Sequence, residues 1–191
     1  QEQNKIRTNF SNMRLKVKQQ EKKHTEIVTS VCWNNQHELF SVSDDNTLWK
    51  WDLNGENSQK LMDLDAPPTD IHWMPSSRGA NETLAVAFSD GSFRLINKNF
   101  RASEVTKEAH KGAVISLRWN HEGTSLATAG EDGQVKIWSS TGNPRSTLAT
   151  CDRSVYHIVW SPNNDLLLYA SGKHLHIKPT QAGQKVVQWK G

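Results

Sequence analysis

The stretch Ala109–Gly142, AHKGAVISLRWNHEGTSLATAGEDGQVKIWSSTG, decides the fold of this 191-residue chain. Three short apolar runs lie in it, separated by two turns. AVISLRW alternates and places Ile115, Leu117 and Trp119 on one face. SLATAG is small and apolar, and QVKIW alternates again with Val135 and Ile137 on one face. EGTS and EDGQ supply the turns, because Gly and Asp tolerate the backbone angles that tight turns require. A period of two residues predicts a β-meander rather than a helix. His110 stands at its start and Trp138 at its end, with Thr128 and Asp132 between them. A buried Asp needs donors. The His, the hydroxyl and the indole N–H can supply them.

The pattern recurs. Anchored on Asp132, the equivalent turn positions are Asp45, Asp90 and Gly172, at spacings of 45, 42 and 40 residues. Six residues before each stands a Leu: Leu39, Leu84, Leu126 and Leu166. Three after come Leu48, Phe93, Val135 and Leu175; five after come Lys50, Leu95, Ile137 and Ile177. The first strand of each repeat ends in Trp33, Trp73, Trp119 or Trp160, and two residues earlier stand Val31, Ile71, Leu117 and Ile158. The second repeat carries a longer loop, MPSSRGANET, whose Pro, Ser, Gly and Asn mark a surface excursion. Outer strands are expected near Gln59–Leu64, Ser103–Lys107, Ser146–Ala149 and Lys185–Trp189.

The His, Thr/Ser, Asp, Trp spacing resembles the structural tetrad of a WD repeat, the four-stranded blade of a β-propeller, and the repeat length agrees. Blade one has the full set, His24, Ser41, Asp45 and Trp51, followed by Asp52. Blade three has His110, Thr128, Asp132 and Trp138, with Ser139 in place of the final Asp. Blade two keeps Asp90 but has Val86 and Ile96 as its partners, and blade four has Leu168, Gly172 and Lys178. Apolar packing is expected to hold those two.

Composition excludes several classes. Hydrophobic content is 35%, and no apolar run approaches membrane-spanning length. No charged n-region plus apolar h-region opens the chain, so a secretory signal is not expected. Cys32 and Cys151 lie far apart with no CxxC, which fits a reducing compartment better than a disulfide scaffold. The net charge of +3 is unevenly placed: residues 1–23 carry +5, leaving −2 for the body. Within this arm, Arg14-Leu15-Lys16-Val17-Lys18 alternates like a half-buried strand.

Met13-Arg14-Leu15-Lys16, AHKGAV, RWNHEGTSLATAGEDGQVKIWSSTG, RSTLA, SGKHLHIKP and KVVQWK together resemble the N-terminal propeller of the WD-repeat subunits of intraflagellar transport complex B. The likeness runs from Met13 to Gly191, and the degenerate fourth blade, with Lys178-Pro179 where WD should stand, is its most distinctive part. The resemblance implies an all-β WD propeller with about four blades of a seven-bladed ring, an incomplete arc. It implies a scaffold needed to build cilia, with other complex B subunits as partners and a place at the cilium and ciliary base, on the cytoplasmic side. Family members have two propellers and then a helical solenoid. Met13 looks like the family's start, residues 1–12 read as a disordered extension, and the chain stops where a fifth blade should begin. The expected division is a basic arm at 13–23 and blades at 24–64, 65–108, 109–150 and 151–191. An open arc leaves two end faces uncovered, so self-association is expected.

Glu131-Asp132 and Asp44-Asp45 are adjacent carboxylates, read here as one tetrad Asp and one exposed turn residue rather than an acid/base pair. His174-x-His176 is half of a metal site at most, and the aligned residues Gln134, Lys136, Ser92 and Arg94 are polar and expected to be exposed. No GxSxG, P-loop, GxGxxG or Cys/His nucleophile arrangement is present, so no catalytic residue, cofactor or metal is expected. The basic arm could meet a polyanion, but its one aromatic, Phe10, offers no stacking platform. A solvated edge strand is preferred, with neither nucleic acid nor membrane insertion expected. Trp49 stands where other blades place Arg94, Lys136 and His176; it is either an exposed partner anchor or packed under the arm. Trp49, Arg14, Lys16 and Lys18 are the candidate partner contacts. Alternative readings are another WD adaptor, such as a coat subunit or ubiquitin-ligase receptor, and a polyanion binder acting through the arm.

Overall fold

The computed structural model describes residues 22–52, 57–75, 82–100 and 108–181. They form strands and turns, with no helix among the described residues. Blade one comprises β1 (Val28–Trp33), β2 (Leu39–Ser43), β3 (Thr47–Trp51) and β4 (Gln59–Asp63), hydrogen-bonded in that order. Blade two comprises β5 (Pro68–Trp73), β6 (Thr83–Phe88) and β7 (Phe93–Asn97). Blade three comprises β8 (Val114–Trp119), β9 (Ser125–Gly130), β10 (Gln134–Ser139) and β11 (Pro144–Thr150). Blade four comprises β12 (Val155–Trp160), β13 (Leu166–Ser171) and β14 (His174–Pro179). All neighbours are antiparallel. The outer strands expected at Ser103–Lys107 and Lys185–Trp189 lie outside the described residues. So does the arm strand with Arg14, Lys16 and Lys18.

Tight turns join the second and third strands. Asn46, directly after Asp45, takes φ 60°, and Gly91 and Gly133, directly after Asp90 and Asp132, take φ 86° and 75°. This left-handed backbone suits Gly and is tolerated by Asn. The carbonyl of each turn residue accepts the amide that opens the next blade: Leu64 to Asn46 at 2.7 Å, His110 to Gly91 at 3.0 Å and Cys151 to Gly133 at 2.9 Å.

Each first strand carries an irregularity at one register, between Val28 and Ser30, Pro68 and Asp70, Val114 and Ser116, and Val155 and His157. This breaks the simple alternation expected of AVISLRW. Val114, Ser116, Leu117 and Trp119 are buried, while Ile115 is only half-buried. A bulge adds a residue to one strand and re-aims those around it.

The hydrophobic core is divided among the spaces between blades. Phe40, Val42 and Leu48 pack with Ile71, Trp73 and Leu84 between blades one and two. Phe93 and Leu95 pack with Leu117, Trp119 and Leu126 between blades two and three. Val135 and Ile137 pack with Ile158, Trp160 and Leu167 between blades three and four. Sheets buried on both faces need apolar residues on both, which explains the continuous burial of β6 and β9.

Candidate functional site

Blade three brings His110, Thr128, Asp132 and Trp138 into one chain of hydrogen bonds. The Trp138 indole N–H donates to Thr128 Oγ1 at 2.8 Å. His110 Nε2 lies 2.8 Å from the same oxygen, and its Nδ1 lies 2.9 Å from Asp132 Oδ1. Burial first of all keeps the His110 imidazole below its usual range, against the pull of Asp132. A neutral ring facing a carboxylate must carry its proton on Nδ1, so Nε2 accepts the Thr128 hydroxyl proton. Burial alone would raise the Asp132 carboxyl. The His110 hydrogen bond and the amides of Gln134 and Lys111 outweigh it and hold the group low.

Blade one places His24, Ser41, Asp45 and Trp51 in the same way. Trp51 Nε1 donates to Ser41 Oγ at 2.7 Å, His24 Nε2 lies 2.7 Å from that oxygen, and His24 Nδ1 lies 3.0 Å from Asp45 Oδ2. Thr47 adds a hydroxyl donated to Asp45 at 2.6 Å. Burial opposes ionisation of Asp45, but Thr47, the Thr25 amide and His24 prevail and bring it down to about 2. Both carboxylates are committed on all sides to structural donors. Their neighbours Asp44 and Glu131 are exposed in the turns.

Blade two is built differently. Leu64 occupies the position of the histidine, and Val86 and Ile96 are fully buried. Among the described residues, Asp90 receives only the amide and hydroxyl of Ser92 in its own turn, at 2.9 and 2.6 Å. In blade four Cys151 takes the histidine position, and Ser171, beside Gly172, donates to the Arg153 carbonyl at 2.9 Å.

Trp49, Arg94 and Lys136 share one repeat position and one task. Each reaches back over the loop that opens its own blade. Trp49 is half-buried, stands edge-on to His24 with centroids 6.1 Å apart, and donates to Thr47 at 3.0 Å. Lys136 donates to the Ala109 carbonyl. Arg94 pairs with Asp65 and lies over the Phe88 ring. The expectation that these positions are exposed is corrected: Arg94 and Ser92 are buried, Arg94 against Asp65 and the Phe88 ring of its own blade and Ser92 against Asp90 in its own turn. In blade four, His176 is half-buried and stacks on Tyr169 at 4.9 Å, and exposed His174 lies 6.1 Å from it, centroid to centroid. Among the described residues no three His, Cys, Asp or Glu side chains gather as a metal-ligand group.

Sequence reasoning missed the polar group that ties three blades together. Asp70 is 7% exposed and joins three blades. Its Oδ1 accepts Ser30 Oγ–H and its own Ile71 amide, both at 3.0 Å. Its Oδ2 accepts the Leu117 amide at 3.0 Å and the Arg118 guanidinium. Next to it, His72 Nδ1 accepts the Trp119 amide at 3.0 Å. Burial, assisted by Arg118, brings His72 down to about 4. Cys32, at the same repeat position in blade one, is pushed up to about 12 by burial, which leaves an inert thiol. The available signal was an acid in mid-strand, three residues before Trp73.

Sequential antiparallel sheets that share their cores, with two His–hydroxyl–Asp–Trp networks, define a chain of WD repeats. The family described as WD domain, G-beta repeat, matches residues 16–52 and 103–139, the two blades with full tetrads. The chain is 47% identical, over 93% of its length, to the intraflagellar transport protein 80 homologs of Mus musculus and Rattus norvegicus. It spans about a quarter (24%) of the length of those relatives. A more distant likeness, 22% identity over 77% of the chain and 45% of the relative, is to actin-related protein 2/3 complex subunit 1A of Arabidopsis thaliana.

Proposed function

We propose that this chain is part of a non-enzymatic scaffold subunit of the intraflagellar transport complex B particle, required for cilium assembly. The observation that carries the reading is the 47% identity over 93% of the chain to intraflagellar transport protein 80 homologs. The geometry agrees with a scaffold. The depressed carboxylates are saturated with structural donors, so they lock loops instead of moving protons. Blades held by such networks present fixed loops and edges to other proteins. In this reading the partners are other complex B subunits, and the protein resides at the cilium and ciliary base, on the cytoplasmic side. Trp49 and the arm residues Arg14, Lys16 and Lys18 are its proposed contacts, and 24–64, 65–108, 109–150 and 151–191 are its blade limits.

The test uses the tagged full-length gene product in ciliated cells. Complex B subunits should co-purify with it, it should decorate the ciliary base and shaft, and its loss should shorten or abolish cilia. Normal cilia in a clean null, with the protein found only in nuclei, would overturn the proposal.

A further inference from the structure

Blade two has lost more than a tetrad. In blade three the His110 imidazole packs directly on Gly130, where an added Cβ would stand 2.4 Å from Nδ1. Blade two has Phe88 at the position of Gly130 and Leu64 at that of His110. An aromatic ring, 2% exposed, stands where the other blade keeps its hydrogen-bonded imidazole. That ring lines a cavity of about 500 Å³, together with Asp65, Asp90, Ser92, Arg94 and Glu108. The cavity lies between the opening loops of blades two and three, inside the array, so it is not an end face.

Charge and hydrogen bonding define its occupant. Three carboxylates stand against one guanidinium in the lining, so a phosphate or a carboxylate would meet net repulsion. Asp90 and Glu108 are exposed, and Asp90 has lone pairs left after accepting from Ser92. The Arg94 guanidinium pairs with Asp65 and lies 5.8 Å from the Phe88 ring centroid. The chain's own cation thus uses one acid and one face of the ring, the two partners a guanidinium prefers. A second observation concerns Arg94 itself. It is only 9% exposed, and its Nε has no acceptor among the described residues. A buried donor left unpaired is costly, and an incoming acceptor removes that cost. The fitting occupant therefore carries a positive charge and an acceptor together. A metal ion has no acceptor to offer, and among the described residues no three acids gather as a ligand group. A lysine or arginine residue has both, in its side chain and its own carbonyl. The volume suits a side chain with its flanking peptide.

We infer that this cavity of blade two receives a lysine or arginine side chain from an exposed segment of a partner protein, its charge facing Asp90 and Glu108 and its main-chain carbonyl accepting Arg94 Nε–H.

Photo-crosslinking of the full-length gene product tests this. The probe is a capped Gly-Lys-Gly peptide with a diazirine on its N-terminal cap, and adducts are mapped by mass spectrometry after digestion. Adducts should concentrate on residues 88–94 and 108. The norleucine and glutamate versions of the peptide should leave those residues unlabelled. Asp90→Asn combined with Glu108→Gln should cut the labelling about tenfold, the worth of one hydrogen bond to a charged group. Both changes are near-isosteric and exposed, so an unchanged melting temperature is expected. Asp44→Asn with Glu131→Gln, which removes exposed acids from two other turns, should change nothing. Unlabelled Gly-Lys-Gly should compete about tenfold better than n-butylammonium, which has the charge without the carbonyl. Labelling spread evenly over the acidic turns, or equal labelling of the Asp90/Glu108 double variant, overturns the inference. So does labelling of the cavity by the glutamate peptide, which would assign it to an anion. Equal competition by n-butylammonium overturns the part given to Arg94.

Discussion

The guanidinium of Arg118, on the first strand of blade three, closes on the carboxylate of Asp70, on the first strand of blade two. Asp70→Ala breaks that ion pair and leaves the Leu117 amide and the Ser30 hydroxyl without their acceptor. Breaking a buried pair costs about 3–5 kcal/mol. The Arg118 side chain keeps 33% of its exposure, so the low end, about 3 kcal/mol, is expected in urea unfolding. A loss below about 0.5 kcal/mol, typical of neutral surface changes, would show that the three blades do not depend on this residue.

Asp132→Ala should destabilise more than Asp90→Ala. The first leaves His110 Nδ1–H and the Lys111 and Gln134 amides unpaired, at roughly 1–3 kcal/mol for a buried group. The second releases only Ser92, inside one turn. Equal shifts in denaturation midpoint would contradict the difference between the blades.

Gly91→Ala should be more harmful than its size suggests. Gly91 has φ 86°, and an added Cβ would stand 2.3 Å from the His110 carbonyl oxygen. Both the left-handed strain and the collision act against folding, together about 2–3 kcal/mol. A melting temperature equal to that of the parent would mean that the turn and the opening loop of blade three can separate freely.

Stability should rise with pH between about 4 and 6.5 on account of His72. Its folded value is about 4 against an ordinary 6.5. In that window the unfolded chain binds a proton that the folded chain refuses, so acid favours unfolding. The neutral ring is required because Nδ1 accepts the Trp119 amide. His72→Gln should flatten the slope of unfolding free energy across this window, and an unchanged slope would place its origin elsewhere. Asp45 adds a separate, lower window: its stabilisation is complete above the ordinary 3.8 and is lost as pH falls through about 2.

The blades could be read from the sequence because their signals repeat. Trp33, Trp73, Trp119 and Trp160 end the four first strands, and Gly or Asn follows three of the turn positions. Repetition makes a weak local preference visible four times. The Asp70 centre was hidden for the opposite reason. Its repeat position holds Ser30, Asp70, Ser116 and His157, so no acid recurs to mark it. Arg94 misled because charge was equated with exposure. Asp65 and Phe88 of its own blade take up its head, as amphipathic side chains permit. Alternation failed at Ile115 because a bulge is a backbone event without a sequence signature as clear as a turn glycine.

The three shared apolar clusters give this chain the thermodynamics of a row of dominoes. Blades two and three each belong to two clusters, and blades one and four to one each. Where stability is a sum of nearest-neighbour terms, melting advances from the ends inward and folding can begin at any adjoining pair. Amide exchange should therefore be slowest in β6 and β9 and fastest in β1 and β14. A substitution in blade one should leave protection in blade four almost untouched. Damage to such a chain stays local, and cooperativity fades with distance along it.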